Sequence, residues 1–145
     1  MLFGKRERLI SRILVVEDEP LVAFDNEHLL GEAGYEVVAT VDCLADAQAV
    51  IESEEAIDLV LTDIKLSGEG DGMDVARIAG GRGVPVLFVT GHCPDDPQGL
   101  AIGCLSKPYT SRVLRTALDC LDEHLQGNEA KNLPPQLRLY ERASG

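Results

Sequence analysis

Five short apolar runs rich in β-branched residues recur along the chain: Ile13 to Val16, Glu36 to Thr40, Ile57 to Thr62, Val84 to Thr90 and Ile102 to Leu105. Their hydrophobicity is nearly continuous rather than alternating, which is the signature of strands covered on both faces. Helix-patterned segments lie between the runs, and that order of elements calls for a parallel sheet with helices packed on both sides. The expected architecture is therefore α/β and doubly wound, with five parallel strands at its centre.

Local signals place the helices. Pro20 suits a helix first turn, and Leu21, Val22, Leu29, Leu30 and Ala33 lie near one face before Gly34 stops the helix. Asp25 and Asn26 interrupt that stripe. Asp42 can cap a second helix through Leu44, Ala47 and Ile51, and Val75, Ile78 and Ala79 mark a short third helix ended by Gly80-Gly81. The strongest stripe is Leu114, Ala117, Leu118, Leu121 and Leu125, capped by Thr110 or Ser111 and closed at Gly127. Between the last two runs, Gly91, Pro94, Pro97 and Gly99 leave room only for a shortened or irregular fourth helix. Expected boundaries are an extension over residues 1–11, one domain over 12–127 and a tail over 128–145.

Composition narrows the function. With a formal net charge of −12 the chain opposes a polyphosphate backbone, so no nucleic acid is expected as a partner. No apolar run approaches the roughly 20 residues that span a bilayer, and the basic start Met1 to Arg8 lacks a following apolar segment, so a cytoplasmic location without membrane contact is expected. Cys43, Cys93, Cys104 and Cys120 are widely spaced with no Cys-x-x-Cys pair, and buried free thiols are the expected state.

Ligands of open parallel α/β sheets sit at the carboxyl ends of the strands. There the first run ends in Glu17-Asp18-Glu19, the third in Asp63, the fourth in Thr90 and the fifth in Ser106-Lys107. Glu17, Asp18 and Asp63 offer the hard oxygen donors that Mg²⁺ takes. A carboxylate flanked by a metal and an amine can attack phosphorus, so Asp63 is the candidate phosphoacceptor, with Lys107 and the Thr90 hydroxyl facing the phosphoryl oxygens. Singly, each residue has an ordinary reading as a turn former, a strand residue or a solvated charge. In combination, at the ends of four different strands, they point to a phosphorylation site.

Through Ile13-Leu14-Val15-Val16-Glu17-Asp18-Glu19-Pro20, Leu59-Val60-Leu61-Thr62-Asp63, Phe88-Val89-Thr90-Gly91 and Leu105-Ser106-Lys107-Pro108-Tyr109, roughly Arg12 to Gly127 resembles the receiver domain of two-component response regulators. The resemblance implies a flavodoxin-like fold, Asp63 as phosphoacceptor, Glu17 and Asp18 as the metal pair, Lys107 and Thr90 as the conserved-type lysine and switch hydroxyl, and the Lys65 backbone carbonyl as a further metal ligand. Pro85 to His92 resembles a looser FATGUY motif of single-domain regulators, with Val89 in place of the usual Ala. Where many receivers carry an aromatic switch residue, three positions before the lysine, this chain has Cys104.

The implied function is that of a single-domain response regulator: phosphoryl transfer from a sensor histidine kinase or histidine phosphotransfer protein, then signalling through protein contacts, with homodimer formation left open. Catalysis would be limited to its own phosphorylation and slow dephosphorylation. Two rivals stand beside this. A phosphorylation-independent docking module would usually have lost part of the acidic and lysine set. A Mg²⁺-dependent phosphohydrolase with an Asp nucleophile wants a second acid two residues on, where Lys65 stands.

Overall fold

A computed structural model describes residues 8–140, so the basic start and the last residues of the tail lie outside it. Five strands, β1 (Arg12–Val16), β2 (Glu36–Val41), β3 (Leu59–Asp63), β4 (Val86–Thr90) and β5 (Gly103–Ser106), pair in parallel as expected. A sixth, β6 (Leu137–Leu139), runs antiparallel along the edge of β5, giving the order β2-β1-β3-β4-β5-β6. The sheet thus has one strand more than the sequence reading allowed. Residues 128–145 are therefore not only a tail; the three residues of β6 are too few to show a period in the sequence.

The inner strands are buried on both faces, but β2, an edge strand, is only half-buried. Helices α1 (Pro20–Glu32), α2 (Leu44–Ile51), α3 (Gly72–Gly81) and α4 (Ser111–Leu125) cover the sheet. One layer of core joins Ile13, Val15, Leu59, Leu61, Leu87 and Leu105 to Leu30 of α1 and to Leu114, Leu118 and Leu121 of α4. The other joins Leu14, Val16, Val60 and Phe88 to Ala47 and Ile51 of α2 and Val75, Ala76 and Ala79 of α3. This is the doubly wound arrangement that the run pattern demands.

Several local expectations are corrected. Residues 91–102 contain no helix at all. Cys43, not Asp42, occupies the N-cap of α2, and its side chain makes no capping bond. In α1, Leu21 and Phe24 face solvent while Asn26 is buried, so the apolar stripe is narrower than its residues suggested. Helix α3 starts earlier than its apolar spacing indicated, because Asp71 and Asp74 form a reciprocal capping box. Thr110, one of two candidates, caps α4 by accepting from the Val113 N–H.

The chain before β1 is fastened by α4. Asp122, itself buried, accepts from the N–H groups of Leu9 and Ile10 at 3.1 and 2.9 Å. Asp58 does the same for Ser11 and Arg12 at 2.9 and 2.8 Å. These bonds fix the height at which β1 enters the sheet, and hence where its carboxyl end emerges.

Gly72 sets how closely α3 approaches the end of β3. Its N–H donates to the Ile64 carbonyl at 2.6 Å, and a Cβ there would overlap the Asp63 carbonyl oxygen and the Ile64 backbone. Backbone at that distance cannot rotate away, so Gly72→Ala is expected to lower the unfolding free energy by about 1–3 kcal/mol, the range for overpacking a well-packed site. Urea denaturation should show a lower midpoint at an unchanged slope; an unchanged midpoint would mean that α3 is free to shift.

Candidate functional site

Four strand ends converge at one edge of the sheet. Glu17 directly follows β1, and its backbone N–H donates to the Val41 carbonyl at 2.9 Å, so the strand pairing carries the residue into the site. Asp63 is the last residue of β3 and Thr90 the last of β4. Lys107 follows β5, its N–H donating to the Thr90 carbonyl at 2.8 Å. A cis peptide bond joins it to Pro108.

The Lys107 ammonium donates to Glu17 Oε1 at 3.0 Å and to Asp63 Oδ2 at 2.8 Å. Side-chain exposure falls from 24% at Lys107 to 12% at Asp63 and 3% at Glu17, so the amine and Asp63 are reachable from solvent while Glu17 forms the floor. Asp18 completes the acidic set: ligating oxygens of Glu17, Asp18 and Asp63 lie within 4.8 Å of one another. Ser67, in the turn after β3, donates to Asp18 Oδ2 at 3.1 Å, and the Glu19 N–H donates to Glu17 Oε2 at 3.1 Å.

The electrostatics follow from this packing. Burial pushes the Glu17 carboxyl above the usual glutamate range, against the Glu19 N–H and Lys107, which favour its ionised form. Burial works the other way on Lys107, yet the hydrogen bonds and charges of Asp63 and Glu17 outweigh it and raise its pKa. Lys107 is therefore a fixed cation across the neutral range.

The donor set suits a small hard cation. Glu17, Asp18 and Asp63 offer the carboxylate oxygens that Mg²⁺ prefers, and the Lys107 ammonium already stands against two of them as a positive charge. A second acidic group, Asp42, Cys43 and Asp46, lies beside α2 on a more exposed surface.

Of the residues singled out in the sequence, Glu17, Asp18, Asp63 and Lys107 are brought together. Thr90 stands at the neighbouring strand end with its hydroxyl accepting from the His92 N–H at 3.5 Å. Lys65 lies two residues beyond β3 with its side chain exposed. Tyr109, next to Lys107-Pro108 in sequence, does take part: its hydroxyl donates to Asn26 Oδ1 at 2.9 Å, tying the lysine loop to α1. Two supporting residues were not foreseen. Ser67 orients Asp18 from a loop that carries no sequence signal, and Gly72 lies against the Asp63 backbone.

Comparison with known proteins agrees with this geometry. A model of the response regulator receiver domain matches residues 13–119. Uncharacterized transcriptional regulatory protein YbdJ of Bacillus subtilis is 35% identical over 121 residues, which cover 80% of this chain and 52% of that protein. The chain thus spans about half the length of this relative. Among solved structures, a response regulator receiver protein from Sinorhizobium medicae WSM419 is 34% identical with a TM-score of 0.67, covering 76% of this chain and 92% of its own. The receiver domain of a sensor histidine kinase from Pseudomonas aeruginosa PAO1 is 27% identical with a TM-score of 0.64, covering 76% of this chain and 95% of its own. Its crystal structure has a magnesium ion coordinated in the active-site cleft.

Removing the amine leaves carboxylates facing one another. Lys107→Met is expected to cost about 1–3 kcal/mol at pH 8, below the full penalty for breaking a buried pair because the amine is partly solvated. The pairing is fully present below the unfolded lysine pKa of about 10.4 and is lost only as pH rises through the raised folded value. On acidification the deficit of the variant should shrink, since Glu17, raised by burial, takes a proton before an ordinary glutamate would and the repulsion falls. A deficit that grows on acidification would contradict this assignment.

Proposed function

Since the chain belongs to the response regulator receiver domain family, we propose that it is a phosphorylation switch whose phosphoacceptor is Asp63. The observation that carries this reading is the Lys107 ammonium bound at once to Glu17 and Asp63, with Asp18 alongside. An Asp at a strand end, partly exposed and paired with a cation, supports a nucleophile's role better than that of a turn former.

The donor would be a phosphohistidine of a sensor kinase or histidine phosphotransfer protein. A carboxylate oxygen of Asp63 forms the new O–P bond while the P–N bond breaks and the imidazole leaves. Lys107 then exchanges part of its bonding with Asp63 for a phosphoryl oxygen, which keeps its charge paired through the transfer. The Thr90 hydroxyl, freed from a long bond to the His92 N–H, would donate to a second phosphoryl oxygen. Mg²⁺, held by Glu17, Asp18, Asp63 and the Lys65 carbonyl, would supply charge that offsets the crowded anions. The family relative with magnesium in its cleft supports this choice of ion.

The proposed setting is the cytoplasm, with signal output through protein contacts. A net charge of −12 argues against direct binding to nucleic acid, and no helix among the described residues is long and apolar enough to cross a membrane. Turnover would be limited to self-catalysed transfer and slow hydrolysis of the acyl phosphate.

Acetyl phosphate with Mg²⁺ should label the protein with a hydroxylamine-sensitive acyl phosphate, and Asp63→Asn should abolish the label; labelling that persists in that variant rejects the assignment. Millimolar Mg²⁺ should raise the melting temperature, by up to about 2.7 kcal/mol of added stability at a hundredfold excess over Kd. Asp18→Ala should lose most of that gain. Because the ion competes with a proton on Glu17, its affinity should begin to fall at a pH above the ordinary glutamate value of about 4.3. A melting temperature indifferent to Mg²⁺ would remove the ion from the site.

A further inference from the structure

Cys93 and Cys104 are joined by a disulfide, which corrects the expectation of four free thiols; Cys43 and Cys120 remain free. The two residues are 11 apart in sequence with Cα atoms 5.9 Å apart, within the span that a disulfide bridges. Their places in the fold are informative. Cys93 lies three residues beyond Thr90, and Cys104 lies three residues before Lys107. The bridge therefore fastens the segment leaving one phosphoryl-facing residue to the strand that delivers another.

That segment has little else to hold it. Residues 91–100 form no helix, and their backbone bonding is local, such as Leu100 N–H to the Pro97 carbonyl at 2.9 Å. Two side-chain ties come from the sixth strand and the residue after it. The Tyr140 hydroxyl donates to the Pro94 carbonyl at 2.6 Å, and Arg138 pairs with Asp95 at 2.8 Å. Asp95 is 96% exposed, so that ion pair adds little. The covalent bond is the principal fastening.

The two sulfurs differ in access: Cys104 is fully buried on β5, whereas Cys93 is only half-buried in the loop. Exchange has one point of entry. We propose that Cys93 and Cys104 form a reversible thiol–disulfide modification site, acted on by a dithiol reductant, that decides whether residues 91–100 are fastened to β5 or free to move.

In the reducing direction, a thiolate of the dithiol attacks Cys93 Sγ. The Cys93–Cys104 bond breaks, and Cys104 leaves as a thiolate that takes a proton from water. The second thiol of the reductant then attacks its own sulfur in the mixed disulfide, releasing Cys93 as a thiol and leaving the reductant as a disulfide. Two electrons pass to the cysteine pair. Exchange with an oxidised disulfide of the same class reverses each step. In the cytoplasm, where disulfides are usually transient and redox-sensing, the bond would be a controlled state rather than a permanent staple. Its effect on signalling follows from the position after Thr90, and that step alone rests on the phosphorylation reading of Asp63.

Alkylation and mass spectrometry of the intact chain should find two reactive cysteines, Cys43 and Cys120, in oxidised protein denatured without reductant, and four after native treatment with dithiothreitol. Amide hydrogen exchange across residues 91–100 should then be faster by about tenfold or more, as expected when a local closure is released. Exchange in the helices α1 and α2 should stay unchanged. Cys93→Ser should exchange like reduced wild type whether or not reductant is present. Four reactive cysteines in air-oxidised protein, a bond that native dithiothreitol does not open, or exchange in 91–100 indifferent to redox state would each overturn the proposal. Adding acetyl phosphate to both redox forms separates the two readings: no label on Asp63 rejects the phosphorylation reading while the redox comparison still stands.

Discussion

The bond pair that Lys107 makes to Glu17 and Asp63 is the interaction around which the rest of this structure is arranged. Three carboxylates whose ligating oxygens lie within 4.8 Å would repel in a half-buried pocket, and a cation among them is the condition for their closeness. The sheet delivers that cation from two strands away. Asp63 pairs with Val89 across β3 and β4, and Thr90 with Ser106 across β4 and β5, so Lys107 emerges one residue beyond the level of Thr90. A shift of β5 by one residue would reverse which face each of its side chains meets and carry the amine away from the acids.

Around this centre the supporting contacts are short-range and come from different elements. Asp18 is steadied by Ser67, Glu17 by the backbone that turns into α1, and the lysine loop by Tyr109 on Asn26. Burial of Tyr109 pushes its hydroxyl pKa up, so it remains a protonated donor. Because α1 holds Asn26 and also begins directly after the acidic run, its position is coupled to both Glu17 and Lys107. The helix leaves Leu21 and Phe24 exposed on its other side.

What could be read from the chain was what depends on periodicity. The parallel core, the order of strands and helices, and the strand ends carrying Glu17, Asp63, Thr90 and Lys107 all follow from apolar runs of ordinary length. What could not be read depends on contacts between segments distant in sequence, or on elements too short to have a period. β6 has three residues. Ser67 is one hydroxyl in a polar turn, and Gly72 looks like any turn glycine until the Asp63 carbonyl is found against it. Cys93 and Cys104 lack motif spacing, so only the three-dimensional approach of β5 to the loop after β4 reveals the pair.

The same pair explains how the sheet closes where a helix is missing. On the layer of core that includes Phe88 and Cys104, α2 and α3 cover the first strands, and no helix follows β4 to cover the last. Ala101 and Tyr140 bury themselves against Cys104 and Phe88 in its place, and β6 occupies the edge of β5 that would otherwise present unpaired backbone. A helix would hold such a face by a ladder of backbone bonds that open together. Here the cover is held by individual ties from Cys93, Pro94 and Asp95 to β5, β6 and Tyr140. Strands buried on both faces fix where Asp63, Thr90 and Lys107 stand, while the cover beside Thr90 rests on a few ties between loop and strand rather than on a helix.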